Sequence, residues 1–261
     1  MSLDTKYRPH VFDDVVGQQG TIEILRKIIC GGTGFQQSYI FAGPHGTGKT
    51  TLGRILARSI LCEAPNKDGN FCGDCISCRA FDLNAHECFI EIDAATNSGK
   101  ADMKEIVERL EYSTFSGRRR LYLFDESHQL SKDALDAILK PMEDQLSGSE
   151  ERKLVCIFCT TEPEKMRRTI LSRCAPVFQV RKPPVEDISK RLAYICEQEQ
   201  IEFEVEALSL IAEISEAHIR DCLKAVEGVA LLGAVTREHV VSYLHLDANS
   251  EFVKVLLNMG I

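Results

Sequence analysis

The sequence has no apolar run long enough to cross a membrane. No window of its 261 residues approaches the roughly eighteen uninterrupted apolar residues that a membrane-spanning helix needs. The first residues, MSLDTKYRP, also lack the apolar stretch of a secretory leader. From these absences we expect a cytoplasmic protein with no membrane partner.

Positive charge is also in short supply, since the formal net charge is −8 and the pI is near 5.5. A protein that coats nucleic acid through bulk charge would carry the opposite sign. If DNA is a partner, helix N-termini and a few basic side chains must make the contact. The eleven cysteines do not indicate a disulfide framework, because their number is odd and the expected compartment is cytoplasmic.

The sequence does contain a phosphate-binding loop, because GPHGTGKT fits the pattern G-x-x-x-x-G-K-[ST]. A short apolar run precedes it and an amphipathic run follows it, which is the strand–loop–helix context that the motif requires. Lys49 is expected to reach the β- and γ-phosphates, and Thr50 to ligate Mg²⁺. The predicted nucleotide-binding residues of the loop are Gly43, Pro44, His45, Gly46, Thr47, Gly48, Lys49, Thr50 and Thr51.

Two carboxylates follow a second apolar strand, LYLF at residues 121–124. In open α/β sheets ligands bind at the carboxyl ends of the strands, where the glycine loop also lies. We therefore expect Asp125 to hold the Mg²⁺ shell, and Glu126 to orient and deprotonate the attacking water. An acidic turn would be the simpler interpretation of these two residues, but the intact loop argues against it.

Two further positions leave alternatives open. Thr161 follows the apolar strand at residues 154–159, and it is either an ordinary strand-ending threonine or a hydrogen-bond partner of the water or the γ-phosphate. Arg173 is either a surface arginine or an arginine finger, which stabilises charge on the γ-phosphate during transfer. Because its strand is expected near the far edge of the sheet, a role at a neighbouring subunit, in trans, is the sharper hypothesis.

Four cysteines lie close together in a polar, glycine-containing insert, at Cys62, Cys72, Cys75 and Cys78. Two C-x-x-C steps and a more distant cysteine are typical of a closed, structural zinc site. An iron–sulfur cluster is the competing interpretation, and we prefer zinc because nothing else in the sequence indicates redox chemistry.

The remaining cysteines are expected in the core. Cys156 and Cys159 form another C-x-x-C, but residues three apart in a strand face opposite sides of a sheet. The other predicted core cysteines are Cys30, Cys88, Cys174, Cys196 and Cys222.

Alternating strands and helices over about 180 residues predict a mainly parallel sheet covered by helices. Two prolines in RKPP, residues 181–184, mark a boundary, and only helical periodicity follows. We therefore expect an α/β domain over residues 1–180, with the zinc module at about 62–78, and a helical lid over residues 181–245. Residues 246–261 look like the start of another helix.

Seven runs occur in an order that resembles the bacterial DNA polymerase III γ/τ family, the AAA+ ATPase motors of sliding-clamp loaders. The runs are KYRPHVFDDVVGQ, GPHGTGKT, the four-cysteine insert, FIEIDAAT, LYLFDESH, CTTEP and TILSRC. The likeness is strong over residues 6–174 and weaker over the helical lid. It implies an AAA+ P-loop core, ATP, Mg²⁺ and Zn²⁺ as ligands, and other loader subunits, a sliding clamp and primer–template DNA as partners.

The resemblance also implies residue roles. Arg8, Val16 and Gly17 would border the adenine, and Arg220 would be the arginine of the lid that senses nucleotide. Thr161 would be the polar sensor at the strand end and Arg173 the finger in trans. The helix start near residues 97–100 would face the DNA backbone through its amides.

Three departures from the family pattern limit what the resemblance implies. Ser127 stands at the third position of the D-E-x-H box, and a longer loop lies at residues 145–153. Family members continue after the lid into a helical collar, which residues 246–261 would begin, unless they form a tail.

The predicted function is an ATP-hydrolysing motor subunit that couples nucleotide binding and hydrolysis to clamp opening and loading on primed DNA. One alternative is another DNA-acting AAA+ ATPase, such as a branch-migration helicase, and the four-cysteine insert argues against it. The other alternative is a nucleotide-gated stator or binding module that does not hydrolyse ATP.

Overall fold

The computed structural model describes residues 1–31, 38–96, 119–144, 154–174 and 176–243. The chain divides into two compact units. The α/β unit comprises His10–Arg181, and the helical unit comprises Met1–Pro9 together with the chain from Lys182 onward. Of the helices that the structure describes, none combines the length and the apolarity that crossing a bilayer requires.

The α/β unit is built on a parallel five-stranded sheet with the order β2-β3-β4-β1-β5. Its strands β1 and β4 are buried along their whole length, which is why they read as continuous apolar runs rather than alternating ones. The five strands are β1 (Ser38–Ala42), β2 (Phe89–Asp93), β3 (Arg120–Asp125), β4 (Leu154–Thr160) and β5 (Val177–Gln179).

Helices cover both faces of this sheet. Ser131 Oγ accepts a hydrogen bond of 3.2 Å from the Ala134 N–H and caps the helix that begins at Lys132. Short 3₁₀ turns lie at Phe12–Asp14, Ser127–Gln129 and Pro163–Lys165. The α-helices of the unit are α2 (Gln19–Gly31), α3 (Lys49–Leu61), α4 (Ile76–Asp82), α5 (Lys132–Asp144) and α6 (Arg168–Arg173).

The two faces of the sheet bury separate apolar clusters. Cys156 belongs to the cluster under α5, and Cys159 belongs to the cluster under α3, so the prediction that they face opposite sides is confirmed. The prediction that Cys30 is a core residue is wrong. Cys30 is exposed in the last turn of α2, where its thiol donates to the Lys67 carbonyl over 3.2 Å.

The helical unit contains α7 (Val185–Gln198), α8 (Val205–Ile214), α9 (Ile219–Ala230) and α10 (Arg237–Tyr243), together with the single turn α1 (Leu3–Lys6). Residues 1–9, which the sequence predicts to belong to the α/β domain, instead pack with these helices. Leu3 is buried, and its N–H donates to Glu227 Oε2 over 3.4 Å. The Tyr7 hydroxyl donates to the Glu199 carboxylate.

Three features expected from the sequence lie outside the described residues. They are the helix start near residues 97–100, the loop at residues 145–153 and the helix expected at residues 246–261.

Candidate functional site

The glycine loop begins where β1 ends, and its first residue contacts the chain at the ends of the two neighbouring strands, β4 and β5. The Gly43 N–H donates to the Thr160 carbonyl at the end of β4 over 3.1 Å. A Cβ on Gly43 would lie 2.0 Å from the Val180 carbonyl oxygen, so only glycine fits at this position. Gly48 has φ +94°, in the left-handed region that glycine favours, and α3 begins at the next residue.

Lys49 lies inside the loop. Its side chain is folded back so that Nζ donates to the Pro44 carbonyl over 2.7 Å, and the residue is only 5% exposed. Burial lowers the pKa of the Lys49 ammonium, although the nearby carboxylates of Glu126 and Asp125 act in the opposite direction. Among the described residues, no carboxylate forms a hydrogen bond with the Lys49 ammonium, and a buried cation in this position favours an anionic ligand, such as a phosphate.

Thr50 and Asp125 come together at the carboxyl edge of the sheet. Thr50 Oγ1, in the first turn of α3, donates to Asp125 Oδ2 over 2.8 Å. The second oxygen, Asp125 Oδ1, accepts a hydrogen bond of 3.1 Å from the Glu126 N–H. A hydroxyl oxygen and a carboxylate oxygen at hydrogen-bond distance form a donor set that suits Mg²⁺, which prefers hard oxygen ligands and keeps several waters.

Glu126 follows Asp125 and has left-handed backbone angles, with φ 47° and ψ 42°. Such a conformation is costly for a residue with a Cβ, and it turns the side chain toward the loop and the end of β4. Glu126 Oε2 accepts a hydrogen bond of 3.3 Å from Thr161 Oγ1. Glu126 Oε1 lies 3.5 Å from His45 Nδ1 in the loop. The structure thus brings Thr161 and His45 to the second carboxylate.

The residues assigned to the adenine divide between the two units. Val16 and Gly17 belong to the α/β unit, and Gly17 has φ 70°. The next residue, Gln18, accepts a hydrogen bond of 3.2 Å from the Arg181 N–H on Oε1, and its Nε2 donates to the Arg181 carbonyl. Arg8 and Arg220 belong to the helical unit, where Arg220 is exposed in the first turn of α9.

Arg173 lies at the edge of the sheet opposite to the glycine loop. It ends α6, and its carbonyl accepts a hydrogen bond of 2.9 Å from Ser38 Oγ at the start of β1. The loop follows the other end of this five-residue strand. At about 3.3 Å per residue the strand spans about 13 Å, which separates the Arg173 backbone from its own loop.

The four cysteines of the insert converge as the sequence predicts. Their Sγ atoms all lie within 4.8 Å of one another, and those of Cys72 and Cys78 are 3.9 Å apart. Four thiolates at about 2.3 Å around a tetrahedral ion would be separated by about 3.8 Å, so the cluster can hold a metal such as zinc.

The insert favours the thiolate of Cys72 and disfavours the thiolates of the two buried cysteines, Cys62 and Cys78. The N–H groups of Cys75 and Asp74 lower the pKa of the Cys72 thiol to about 6. Burial instead raises the pKa of Cys78 to about 12. Burial also raises the pKa of Cys62. A divalent cation would compensate the buried thiolates, which burial alone disfavours.

Arg58 joins the insert to α3, a role that no motif in the sequence indicates. Its guanidinium lies 3.5 Å from the centre of the Phe71 ring and pairs with Asp82 at 2.6 Å. Arg58 Nη2 also donates to the Cys78 carbonyl over 3.4 Å. On the other side of the insert, Asn70 Nδ2 donates to Asp13 Oδ2 over 2.9 Å.

Two family models match the chain. The model described as DNA polymerase III, delta subunit, matches residues 17–182, which is more than half of the chain. The model described as DNA polymerase III clamp loader subunit, ATPase lid domain, matches residues 187–226. The chain belongs to the DNA polymerase III clamp-loader subunit family. The family predicted from the sequence is therefore confirmed.

Curated relatives support the family assignment. The chain is 33% identical to DNA polymerase III subunit tau of Escherichia coli (strain K12), over 98% of the chain and 41% of that protein. It is 34% identical to DNA polymerase III subunit gamma of Buchnera aphidicola, over 88% of the chain and 60% of that protein. The chain thus spans about two fifths of the length of the E. coli relative.

Solved structures show the fold. Thermotoga maritima RuvB, described as a Holliday junction branch migration motor, matches with a TM-score of 0.66 at 18% sequence identity. The match covers 97% of this chain and 78% of the RuvB chain. The predicted AAA+ architecture, a parallel P-loop sheet with a helical lid, is confirmed.

Proposed function

We propose that the chain is the ATP-hydrolysing motor subunit of a sliding-clamp loader, which couples the nucleotide cycle to clamp opening and loading on primed DNA during replication. One observation carries the proposal: Thr50 and Asp125 are joined over 2.8 Å, beside the buried Lys49 and the carboxylate of Glu126. The family membership supports it. The proposed partners are other loader subunits, the clamp and primer–template DNA, and the proposed location is the cytoplasm.

The loop and its neighbours have distinct tasks in this proposal. The N–H groups of the loop and the Lys49 ammonium hold the phosphates of ATP. Thr50 and Asp125 hold Mg²⁺, which when bound neutralises charge on the phosphate oxygens. Glu126 orients the attacking water and takes up its proton, and the Thr161 hydroxyl, which donates to Glu126, fixes the geometry of that carboxylate.

Arg173 acts at a neighbouring subunit in this proposal. The hydrogen bond from Ser38 holds the Arg173 backbone at the start of β1, whereas the phosphate loop follows the end of that strand. A role in trans does not require the guanidinium to reach along the strand to its own loop. There the guanidinium would stabilise the charge that develops on the γ-phosphate.

The remaining assignments are also proposals. Arg220 reports the nucleotide from the helical unit, while Arg8, Val16 and Gly17 border the adenine. The four cysteines hold a structural Zn²⁺, which is supported by their thiolate chemistry and the spacing of their sulfur atoms.

The decisive measurement is the ATPase rate of the purified chain with loader subunits, sliding clamp and primed DNA. We expect a rate clearly above that of Lys49→Ala, which loses the phosphate-binding ammonium. Lys132→Ala is the matched control, because Lys132 is exposed at the start of α5. ATP binding without hydrolysis above the Lys49→Ala rate would favour the stator or binding module and overturn the motor role.

A further inference from the structure

His128 lies between two carboxylates beside the candidate active site. It belongs to the short 3₁₀ turn Ser127–Gln129, and its side chain is only 9% exposed. His128 Nδ1 lies 3.5 Å from Glu126 Oε2, and His128 Nε2 lies 3.3 Å from Glu162 Oε1. None of the roles proposed above uses His128 or Glu162.

A closed set of hydrogen bonds fixes the imidazole ring. The Glu162 N–H donates to Thr160 Oγ1 over 3.0 Å, and Thr160 Oγ1 lies 3.2 Å from His128 Nδ1. An ionised carboxylate can only accept, so the ring nitrogen that faces Glu162, Nε2, carries a proton. The other ring nitrogen, Nδ1, lies beside the Thr160 hydroxyl.

Glu162 is itself held in place, which makes it a firm support for the ring. Lys165 Nζ lies 2.5 Å from Glu162 Oε2, so one carboxylate oxygen faces the lysine and the other faces His128. This lysine also lowers the pKa of Glu162, chiefly through the hydrogen bond. The imidazole is thus fastened on both nitrogens, by Thr160 and by Glu162.

This arrangement places the imidazole ring against the Glu126 carboxylate. His128 Nδ1 lies 3.5 Å from Glu126 Oε2, which also receives the Thr161 hydroxyl at 3.3 Å. The ring therefore limits the positions that this carboxylate can take. A general base needs such confinement, because it must stay within reach of the attacking water.

We propose that His128, fastened by Thr160 and Glu162, is a positioning residue that holds the Glu126 carboxylate where it orients the attacking water. The proposal rests on the proposed ATPase function. A purely structural role for His128 would instead make protein stability, ATP affinity and hydrolysis fall together.

Four variants separate these two roles, measured as kcat, ATP dissociation constant and melting temperature. His128→Asn places an amide near the Nδ1 position but cannot span to Glu162. Glu162→Gln keeps an acceptor for the Nε2 proton, whereas Glu162→Ala removes it. His10→Asn is the matched control, because His10 is an exposed histidine of the same unit.

We expect His128→Asn to lower kcat by about tenfold to hundredfold, the loss that misplacement of a catalytic group by up to about 1 Å produces, with ATP affinity unchanged. Glu162→Ala should lose kcat in the same direction, Glu162→Gln should stay near the wild type, and His10→Asn should match it. The comparison of Glu162→Gln with Glu162→Ala tests the proposal even if His128→Asn does not fold fully. Because the Glu162 side chain is partly exposed, we expect both of its variants to fold.

The outcomes that contradict the proposal are distinct. A wild-type kcat in His128→Asn, or equal rates in Glu162→Ala and Glu162→Gln, would overturn the positioning role while leaving the ATPase intact. Parallel loss of kcat, ATP affinity and melting temperature in His128→Asn would show a structural role instead. A wild-type rate no higher than that of Lys49→Ala would overturn both proposals.

Discussion

Thr50 Oγ1 donates to Asp125 Oδ2 over 2.8 Å, which joins the start of α3 to the carboxyl end of β3. The two residues meet because β3, β4 and β1 are parallel neighbours, so that all three strands end at one edge of the sheet. The contact connects the phosphate loop with the acids that the proposed hydrolysis requires.

Removal of the Thr50 hydroxyl tests this connection. We expect Thr50→Val to lower kcat for ATP by at least about 100-fold, because the hydroxyl and Asp125 together provide the proposed Mg²⁺ ligands. The loss should be smaller when the Mg²⁺ concentration is raised, as a titration of the ATPase rate would show. Thr50→Ser keeps the hydroxyl and should retain most of the activity. Equal rates in the valine and serine variants would contradict the assignment.

Replacement of Lys49 by methionine should separate stability from function. Burial of the ammonium lowers the pKa of Lys49, so the folded state disfavours the charged form. We expect Lys49→Met to raise the stability of the nucleotide-free protein by about 1 kcal/mol and to abolish ATP binding. Thermal unfolding and nucleotide-binding titrations measure the two effects. A lower melting temperature than that of the wild type would show that the lysine stabilises the empty loop.

The proposed trans role of Arg173 predicts that its removal impairs ATP hydrolysis and leaves ATP binding intact. In the assembled loader, Arg173→Ala should lower kcat by about 10³-fold or more, the range reported for arginine fingers, with ATP affinity near normal. Arg168→Ala is the matched control, because Arg168 is exposed at the other end of α6. A collapse of ATP affinity in Arg173→Ala would contradict the trans assignment.

The cysteine cluster predicts one zinc ion per chain and a loss of stability when it is removed. Chelation should lower the melting temperature, by an amount equivalent to several kcal/mol, because the metal binds only the folded insert. Cys75→Ser should abolish zinc binding in elemental analysis, whereas Cys30→Ser should not, since Cys30 lies outside the cluster. Iron in place of zinc, or no metal at all, would refute the zinc assignment.

Two glycines test the close approach at the start of the loop. Gly43→Ala should destabilise the protein by about 1–3 kcal/mol, because its Cβ would meet the Val180 carbonyl at 2.0 Å. Gly20→Ala, on α2 with no atom within 4 Å of the added Cβ, should instead raise stability by up to about 1 kcal/mol. Thermal unfolding of both variants gives the comparison, and similar melting temperatures would show that Val180 moves aside for the new methyl group.

The phosphate loop and the acidic strand end could be predicted because the residues of each motif are consecutive in the sequence. Lys49 and Thr50 lie in one loop, and Asp125 follows an apolar strand, so pattern and flanking elements locate them. Gln18 and Arg181 could not be paired in this way. They are 163 residues apart in the chain, and only the folded unit reveals their hydrogen bonds.

The same limit applies to the residues around Glu126. His128 and Glu162 meet because β3 and β4 are neighbours in the sheet. No sequence pattern indicates the set of hydrogen bonds that these two residues form with Thr160. Residues 1–9 were placed with the wrong unit for a related reason. The apolar content of the single turn α1 is Leu3, too little to indicate which core it joins.

The Val180 carbonyl that leaves no space for a side chain on Gly43 belongs to the penultimate residue of the α/β unit. Arg181, the final residue of the α/β unit, forms two backbone hydrogen bonds with the Gln18 side chain. Val180 therefore packs directly against the start of the phosphate loop, so a movement of Gly43 toward Val180 would require Val180 to move as well.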